Sequence, residues 1–270
     1  GHNNTSIGIS SLAANTTGVS NVAVGSNALD SNTTADNNTA VGKDALTANT
    51  TGVNNTAVGT SAGETLTTGG NNVLIGISAG SYDGADLTTG SNNVLVGNYN
   101  KVSAAGAVNQ LVLGYYVTST GNNNFTFGNS TTDSNITFGA TSITAPSDVR
   151  LKENIQDEEV GLDFINDLRP VTFQWKKEKD IPSDMKAYKE GSEERTMNGK
   201  YNHGFIAQEV KEAIDKHNFK EGFDMWQEDE ADGRQRIGEG ALMSVMVKAV
   251  QELSAEIEKL KNTKCKCNEE

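Results

Sequence analysis

A short phrase ending in glycine returns along the first half of the chain at a fixed interval: Thr5-Ser-Ile-Gly8, Asn21-Val-Ala-Val-Gly25, Asn38-Thr-Ala-Val-Gly42, Asn55-Thr-Ala-Val-Gly59 and Asn72-Val-Leu-Ile-Gly76, the glycines 17 residues apart. The series continues through Gly97, Gly114, Gly128 and Gly139 at spacings of 21, 17, 14 and 11. A period this regular specifies a repeat architecture, in which each unit buries its apolar face only by stacking on the next. Each phrase reads as a short alternating strand ended by the residue that most readily accepts positive φ.

Alternation assigns Val22/Val24, Thr39/Val41, Thr56/Val58, Val73/Ile75, Val94/Val96, Leu111/Leu113, Phe125/Phe127 and Ile136/Phe138 to one face, which is expected to be a continuous core stripe. The intervening Ala23, Ala40, Ala57, Leu74, Leu95 and Val112 are apolar too, so both faces of the first six strands are expected to be covered. A coil wound from a single chain covers only one, so further copies of the chain are expected to cover the other. At about 4.8 Å per rung, the nine expected repeats make a stubby shaft. The pairs Asn37-Asn38, Asn54-Asn55, Asn71-Asn72 and Asn92-Asn93 are expected to stack as corner ladders with a structural role.

Composition changes abruptly after Pro146. Residues 1–146 hold 20 of the 28 glycines and two lysines, Lys43 and Lys101, against seven acids, a net charge of −5. The remaining residues carry 20 basic against 28 acidic side chains, net −8. Both halves repel phosphate backbones, which argues against nucleic acid as a partner. No segment approaches the roughly 20 apolar residues that span a bilayer, so membrane insertion is not expected. Cys265 and Cys267, separated by one residue, are too few for a disulfide framework or a four-ligand zinc site. No cofactor and no metal are expected.

Two domains follow: residues 1–146, an all-β repeat shaft of β-solenoid or β-prism type, and residues 147–270, an α+β domain. In the latter, Leu162, Phe164, Ile165 and Leu168, stopped by Pro170, read as a short amphipathic helix, and Val171-Thr-Phe173-Gln-Trp175 as a strand. Residues 176–199 read as a loop or hairpin, and the segment from Gly204 through Ala213 and Ile214 as a further strand or helix. Leu242, Val245, Met246, Ala249, Val250, Leu253, Ile257 and Leu260 form a seam on a helix expected over about residues 240–261. That seam suits a partner helix and packing on its own domain equally well.

The repeat phrases resemble those in the heads of trimeric autotransporter adhesins and in the shafts of bacteriophage tail fibres. Downstream, Ser147-Asp-Val-Arg-Leu-Lys152-Glu-Asn-Ile155, Leu162 to Pro170, Phe173-Gln-Trp175, His203-Gly-Phe-Ile-Ala-Gln-Glu-Val210 and Val247-Lys-Ala-Val-Gln-Glu-Leu253 follow one another in a familiar order. That order resembles the C-terminal intramolecular chaperone of phage tailspikes and fibres, the endosialidase-type autoprocessing domain also called peptidase family S74. The resemblance covers about 125 residues and implies a homotrimer whose terminal helices pack together. It also implies attachment to a host-cell receptor, a glycan or outer-membrane component, upstream fibre or tail proteins as partners, and a place in the virion after assembly in the host cytoplasm.

The resemblance maps a self-cleaving serine-lysine dyad onto Ser147 and Lys152, with the cut between Pro146 and Ser147. Spacing alone seldom marks such a pair as catalytic, and five residues apart along a strand or helix the two side chains diverge, so the segment must bend or the lysine must come from a neighbouring chain. With a reference pKa of about 10.4, about one lysine in two thousand is neutral at pH 7, so a lysine base must be desolvated by folding and assembly. Asp148 and Asn154 are the candidates for orienting the pair, whereas Arg150, Trp175, His203 and Gln208 are read as structural. The expected activity is that of a single-turnover autoproteolytic serine endopeptidase with no action in trans. The alternative is a structural adhesin tip whose C-terminal domain stays attached as a trimerisation cap.

Overall fold

The computed structural model describes residues 1–84, 86–130, 132–219, 222–229 and 233–267, with side chains to residue 263. The chain divides into two compact units, Gly1–Glu153 and Asn154–Glu270.

The first unit is a β-solenoid. Its strands β1 (Thr5–Ile7), β2 (Val22–Val24), β3 (Thr39–Val41), β4 (Thr56–Val58), β5 (Val73–Ile75), β6 (Val94–Val96), β7 (Gln110–Tyr115) and β8 (Asn124–Asn129) stack in parallel and in sequence order. The register is one repeat: Ala23 lies on Ala40, Ala40 on Ala57, Ala57 on Leu74 and Leu74 on Leu95. β9 (Thr132–Thr137) turns back and pairs antiparallel with β8, placing Asp133 opposite Gly128. The expected last repeats, with glycines at 128 and 139, are therefore a closing hairpin, their shortened spacings leaving too little chain for a full coil.

The core lies on the face opposite to the one expected. Ala23, Ala40, Ala57, Leu74, Leu95 and Val112 are fully buried, while the flanking Val22, Val24, Thr39 and Val41 are half-buried and Val58, Ile75 and Leu113 exposed. A three-residue strand sends its middle side chain into the narrow coil and both neighbours outward. Alternation shows which residues share a face, and the interior takes the smaller set. The outward Val, Ile and Leu stripe is left without cover in the single chain.

Leucines reach the rest of the interior from the corners. Leu29 and Leu46 are fully buried although both adopt left-handed backbone, at φ 52° and 51°. That conformation costs about 1–3 kcal/mol each, and burying a leucine side chain returns about 1.5–3 kcal/mol. At the equivalent corner of the next coil stands Gly63, where an added Cβ would lie 2.6 Å from Leu74 Cδ1 and 2.9 Å from Leu46 Cδ2. Volume moves from corner to strand: coils with alanine in the strand carry leucine at the corner, and the coil with Leu74 carries glycine. The strand-ending glycines are constrained more directly. Gly42 sits at φ 140°, and a Cβ there would lie 2.3 Å from the carbonyl oxygen of Gly59.

The asparagine pairs divide their labour. Asn37, Asn54, Asn71 and Asn92 take left-handed backbone, at φ from 58° to 61°, a conformation that asparagine tolerates better than most residues. Their successors Asn38, Asn55, Asn72 and Asn93 are fully buried. Each of these accepts, on Oδ1, the backbone N–H of the equivalent residue one coil on: Asn55 to Asn38 at 2.9 Å, Asn72 to Asn55 at 3.0 Å, Asn93 to Asn72 at 3.0 Å and Gln110 to Asn93 at 3.0 Å. Their Nδ2 groups donate to the carbonyls of Gly52, Gly69, Gly90 and Ala107. A second ladder, Asn15-Asn32-Asn49, gives way to Leu66 in the following coil, and the buried Oδ1 of Asn49 at that boundary accepts no hydrogen bond.

The second unit is α+β. β10 (Val171–Phe173) pairs antiparallel with β11 (Asn202–Gly204), and β12 (Trp226–Glu228) with β13 (Gln235–Ile237). The helices are α1 (Leu162–Asp167), α2 (Ala207–Lys216) and α3 (Leu242–Cys267). Their core gathers Phe164, Val210, Ala213, Met225, Leu242 and Val245. Phe164 meets Phe219 edge-on at 4.7 Å, and Phe219 stacks on Phe223 at 4.1 Å. Gly161 gives α1 no capping side chain, and Glu252 of α3 supplies one by accepting the N–H of Leu162 at 2.8 Å.

The helix expected over residues 240–261 runs as α3 from Leu242, and its apolar seam separates into two stripes. Leu242, Val245 and Ala249 are buried within the unit, whereas Met246, Val250, Leu253, Ile257 and Leu260, recurring at spacings of 4, 3, 4 and 3, are exposed. Cys265 and Cys267 fall on the last turn, where side chains lie outside the described residues.

The two units differ in what acid does to them. In the second, salt bridges and hydrogen bonds hold carboxyls below their ordinary pKa: Lys216 and His217 act on Asp167, Lys189 and Ser192 on Glu178, Arg169 on Glu209 and Arg236 on Asp229, and Lys177 with Lys179 lowers Glu193 to about 2. Depressed folded-state values stabilise above the unfolded pKa of about 4, and that contribution is lost as pH falls through the folded values. The solenoid's ladders are neutral amides. Both tryptophans, Trp175 and Trp226, lie in the second unit. Their fluorescence is therefore expected to report unfolding between about pH 4 and pH 2, while the strand signal in circular dichroism persists.

Candidate functional site

The segment after Pro146 bends as the dyad requires. Val149–Leu151 form a single 3-10 turn capped by Asp148, whose carboxylate accepts the N–H of Arg150 at 2.9 Å and the Arg150 guanidinium through Nε and Nη2. Lys152 closes the turn by donating its N–H to the Val149 carbonyl at 3.1 Å. The turn folds the chain back on itself, and Lys152 Nζ donates to Ser147 Oγ at 2.8 Å. Both residues lie in one chain, on one continuous turn, within the first compact unit.

Pro146, Ser147 and Lys152 are exposed and Asp148 is half-buried. The Arg150 guanidinium holds the Asp148 carboxyl below its ordinary range, so Asp148 remains an acceptor that fixes the turn. It makes no hydrogen bond to Ser147 or Lys152 and acts on them through the backbone. Asn154 follows at φ 52° in left-handed backbone and likewise makes no side-chain bond to the pair. Arg150, read from sequence as structural, is half of the clamp that holds the turn.

The other phrases meet elsewhere. Phe173, Trp175, His203 and Gln208 line one open cleft of about 1020 Å³ in the second unit. His203 pairs with Thr172 across β10 and β11, and Trp175 packs edge-on against Phe173 at 5.3 Å. These are packing and pairing roles. Among the described residues no cluster of three His, Cys, Asp or Glu side chains is placed to hold a metal ion, and no helix is long and apolar enough to cross a membrane.

Sequence reasoning missed the turn-forming role of the Asp148-Arg150 pair, for which the signal was present: an aspartate two residues before an N–H it can accept is a frequent turn opener. It missed the β12–β13 hairpin as well, because Trp226-Gln-Glu and Gln235-Arg-Ile carry little apolar alternation.

No curated protein and no solved structure matches the chain. Residues 147–219 match the family model Peptidase_S74, chaperone of endosialidase, beginning at the serine of the dyad. The chain thus carries, directly after its β-solenoid, a chaperone domain of the endosialidase type, an arrangement that agrees with a phage fibre ending in an intramolecular chaperone.

Proposed function

We propose that the chain is the distal part of a phage tail fibre or spike, in which a homotrimer of β-solenoids contributes to host-cell attachment. Its C-terminal domain assembles the three chains and then cuts itself away. The observation that carries the reading is the 2.8 Å contact between Lys152 Nζ and Ser147 Oγ, at the point where the family match begins.

In the cleavage step, neutral Lys152 takes the proton from Ser147 Oγ as that oxygen attacks the carbonyl carbon of Pro146. The proton passes to the departing amide nitrogen of Ser147, and the Pro146 carbonyl is left esterified to Oγ. Water then hydrolyses the ester, giving a carboxylate on Pro146 and restoring the serine hydroxyl. A lysine ammonium is no base. Since both side chains are open to solvent in the single chain, the desolvation that favours the neutral amine has to come from neighbouring chains. Cleavage then reads out correct assembly.

Assembly has a surface to use. The exposed stripe Met246, Val250, Leu253, Ile257 and Leu260 on α3 has the heptad spacing of a coiled-coil seam, with Ile257 50 % and Leu260 67 % exposed. Three helices joined there would hold three solenoids side by side, their outward valine stripes facing one another. Pairing across chains incurs its entropy cost before its contacts form, and a pre-formed C-terminal trimer lowers that cost.

Ile257→Asp tests this order of events. The substitution places a charge in the seam without touching the buried Leu242, Val245 and Ala249. The expected result is a monomer by light scattering that also remains uncut, with tryptophan fluorescence unchanged. A trimer, or a cut monomer, would contradict it. In either outcome the alternative of a permanent cap is distinguishable, because it calls for a trimer that stays whole in the wild type.

A further inference from the structure

The repeat half holds four tyrosines and no tryptophan, and all four tyrosines, Tyr82, Tyr99, Tyr115 and Tyr116, meet at one place on the solenoid. Two of them are anomalous for their position. The second residue after each strand-ending glycine has left-handed backbone in every coil, and it is Ser10, Asn27, Asp44, Ser61, Ser78 and Ser130 elsewhere but Tyr99 and Tyr116 here, at φ 60° and 61°. Small polar residues tolerate that conformation, whereas a bulky ring there is an outlier of the sort that accumulates at functional sites.

The coil between Gly76 and Gly97 is also four residues longer than the standard 17, and the extra chain carries Tyr82 to within 4.8 Å of Tyr99 and 5.4 Å of Tyr116, ring centre to ring centre. Lys101, one of only two lysines in this half, lies beneath, its Nζ 5.4 Å from the Tyr82 ring and 5.0 Å from the Tyr116 ring. Its side chain is 12 % exposed, and the Asp83 carboxylate, 77 % exposed, stands 4.0 Å from it.

We propose that this tyrosine cluster is a binding platform for a neutral oligosaccharide, which rests on the attachment reading above and gives it a location. The chemistry of the patch selects the ligand. Tyrosine faces are electron-rich and suit the polarised C–H face of a pyranose, while phenol hydroxyls and Asp83 meet its hydroxyl edge. Tyrosine presents this amphipathic area with little conformational entropy to lose. Lys101 is committed to the two rings and to Asp83, so no free cation remains on the patch to favour an acidic sugar. The cluster also differs in kind from the aliphatic strand stripe that suits a second copy of the chain.

The test uses the intact assembled protein and the double variant Tyr99→Ser/Tyr116→Ser, which installs the residue used by neighbouring coils and so keeps the fold. Both are applied to a printed array of neutral and sialylated oligosaccharides and bacterial O-polysaccharides. Wild type is expected to bind neutral glycans, and the variant to lose at least about tenfold of that signal with melting temperature and oligomeric mass unchanged. Equal binding by the variant overturns the site and spares the attachment reading. Absence of any glycan binding by the wild type overturns the site together with the glycan form of that reading. A changed oligomeric mass in the variant assigns the tyrosines to contact between copies and overturns the proposal as well.

Discussion

Lys152→Met is expected to leave the chain whole, with no detectable cut after Pro146, while assembling normally. Methionine keeps most of the stem and loses the amine. Ser147 Oγ then lacks its nitrogen partner at 2.8 Å, and a neutral serine hydroxyl is a poor nucleophile without a base. Ser147→Ala removes the attacking oxygen and is expected to match it. The loss is complete in both because the two act as one unit, so the double variant should be no worse than either single. Neither side chain carries packing, since both are exposed. Melting temperature and oligomeric mass are therefore expected to stay at the wild-type values, and a variant that fails to assemble would point to a structural role instead. Asp148→Ala separates positioning from chemistry: it removes the cap of the 3-10 turn and the Arg150 clamp, so cleavage is expected to slow without stopping.

Asn55→Ala is expected to be the most damaging single change in the solenoid, by about 2–6 kcal/mol. The buried Asn55 side chain accepts the Asn72 backbone N–H at 3.0 Å and the Asn72 amide at 3.0 Å, and donates to the Gly69 carbonyl at 2.9 Å. Truncation strands a buried donor and a buried acceptor, each costing about 1–3 kcal/mol, with no water to replace the lost partner. Its neighbour Asn54 is the control. It is exposed, at φ 58°, so Asn54→Gly keeps a residue suited to that backbone and is expected to change stability by less than about 0.5 kcal/mol. Thermal unfolding followed at the strand signal distinguishes them, since equal effects at the two positions would mean that the ladder carries no special share of stability.

The repeat register and the ladder were legible because both are properties of the period: a glycine every 17 residues fixes which atoms lie above which. The inside of the coil was not. Val22-Ala23-Val24 alternates equally well with either face inward, and nothing local to those three residues reveals that corner leucines such as Leu29 and Leu46 fill the space valine would need. The left-handed backbone of those leucines runs against local preference and follows from burial alone. α3 was legible as a helix, but its two stripes merged into one seam because Val245 and Met246 are adjacent in sequence while facing different environments. At the dyad, the sequence shows a serine and a lysine five apart. Only the single 3-10 turn, set by Asp148 and Arg150, converts that spacing into contact. The tyrosine cluster escaped notice because its members are 16 and 17 residues apart and meet only through the stacking of coils.

The most direct test of self-cleavage coupled to assembly is intact-mass spectrometry of the wild-type chain, denatured at intervals after folding begins and set beside light scattering of the same samples. The expected record is a full-length chain while the protein is monomeric, then two fragments, residues 1–146 and 147–270, appearing only as the trimer forms. A fully assembled trimer whose chains remain whole would contradict the account and leave the C-terminal domain as a permanent cap.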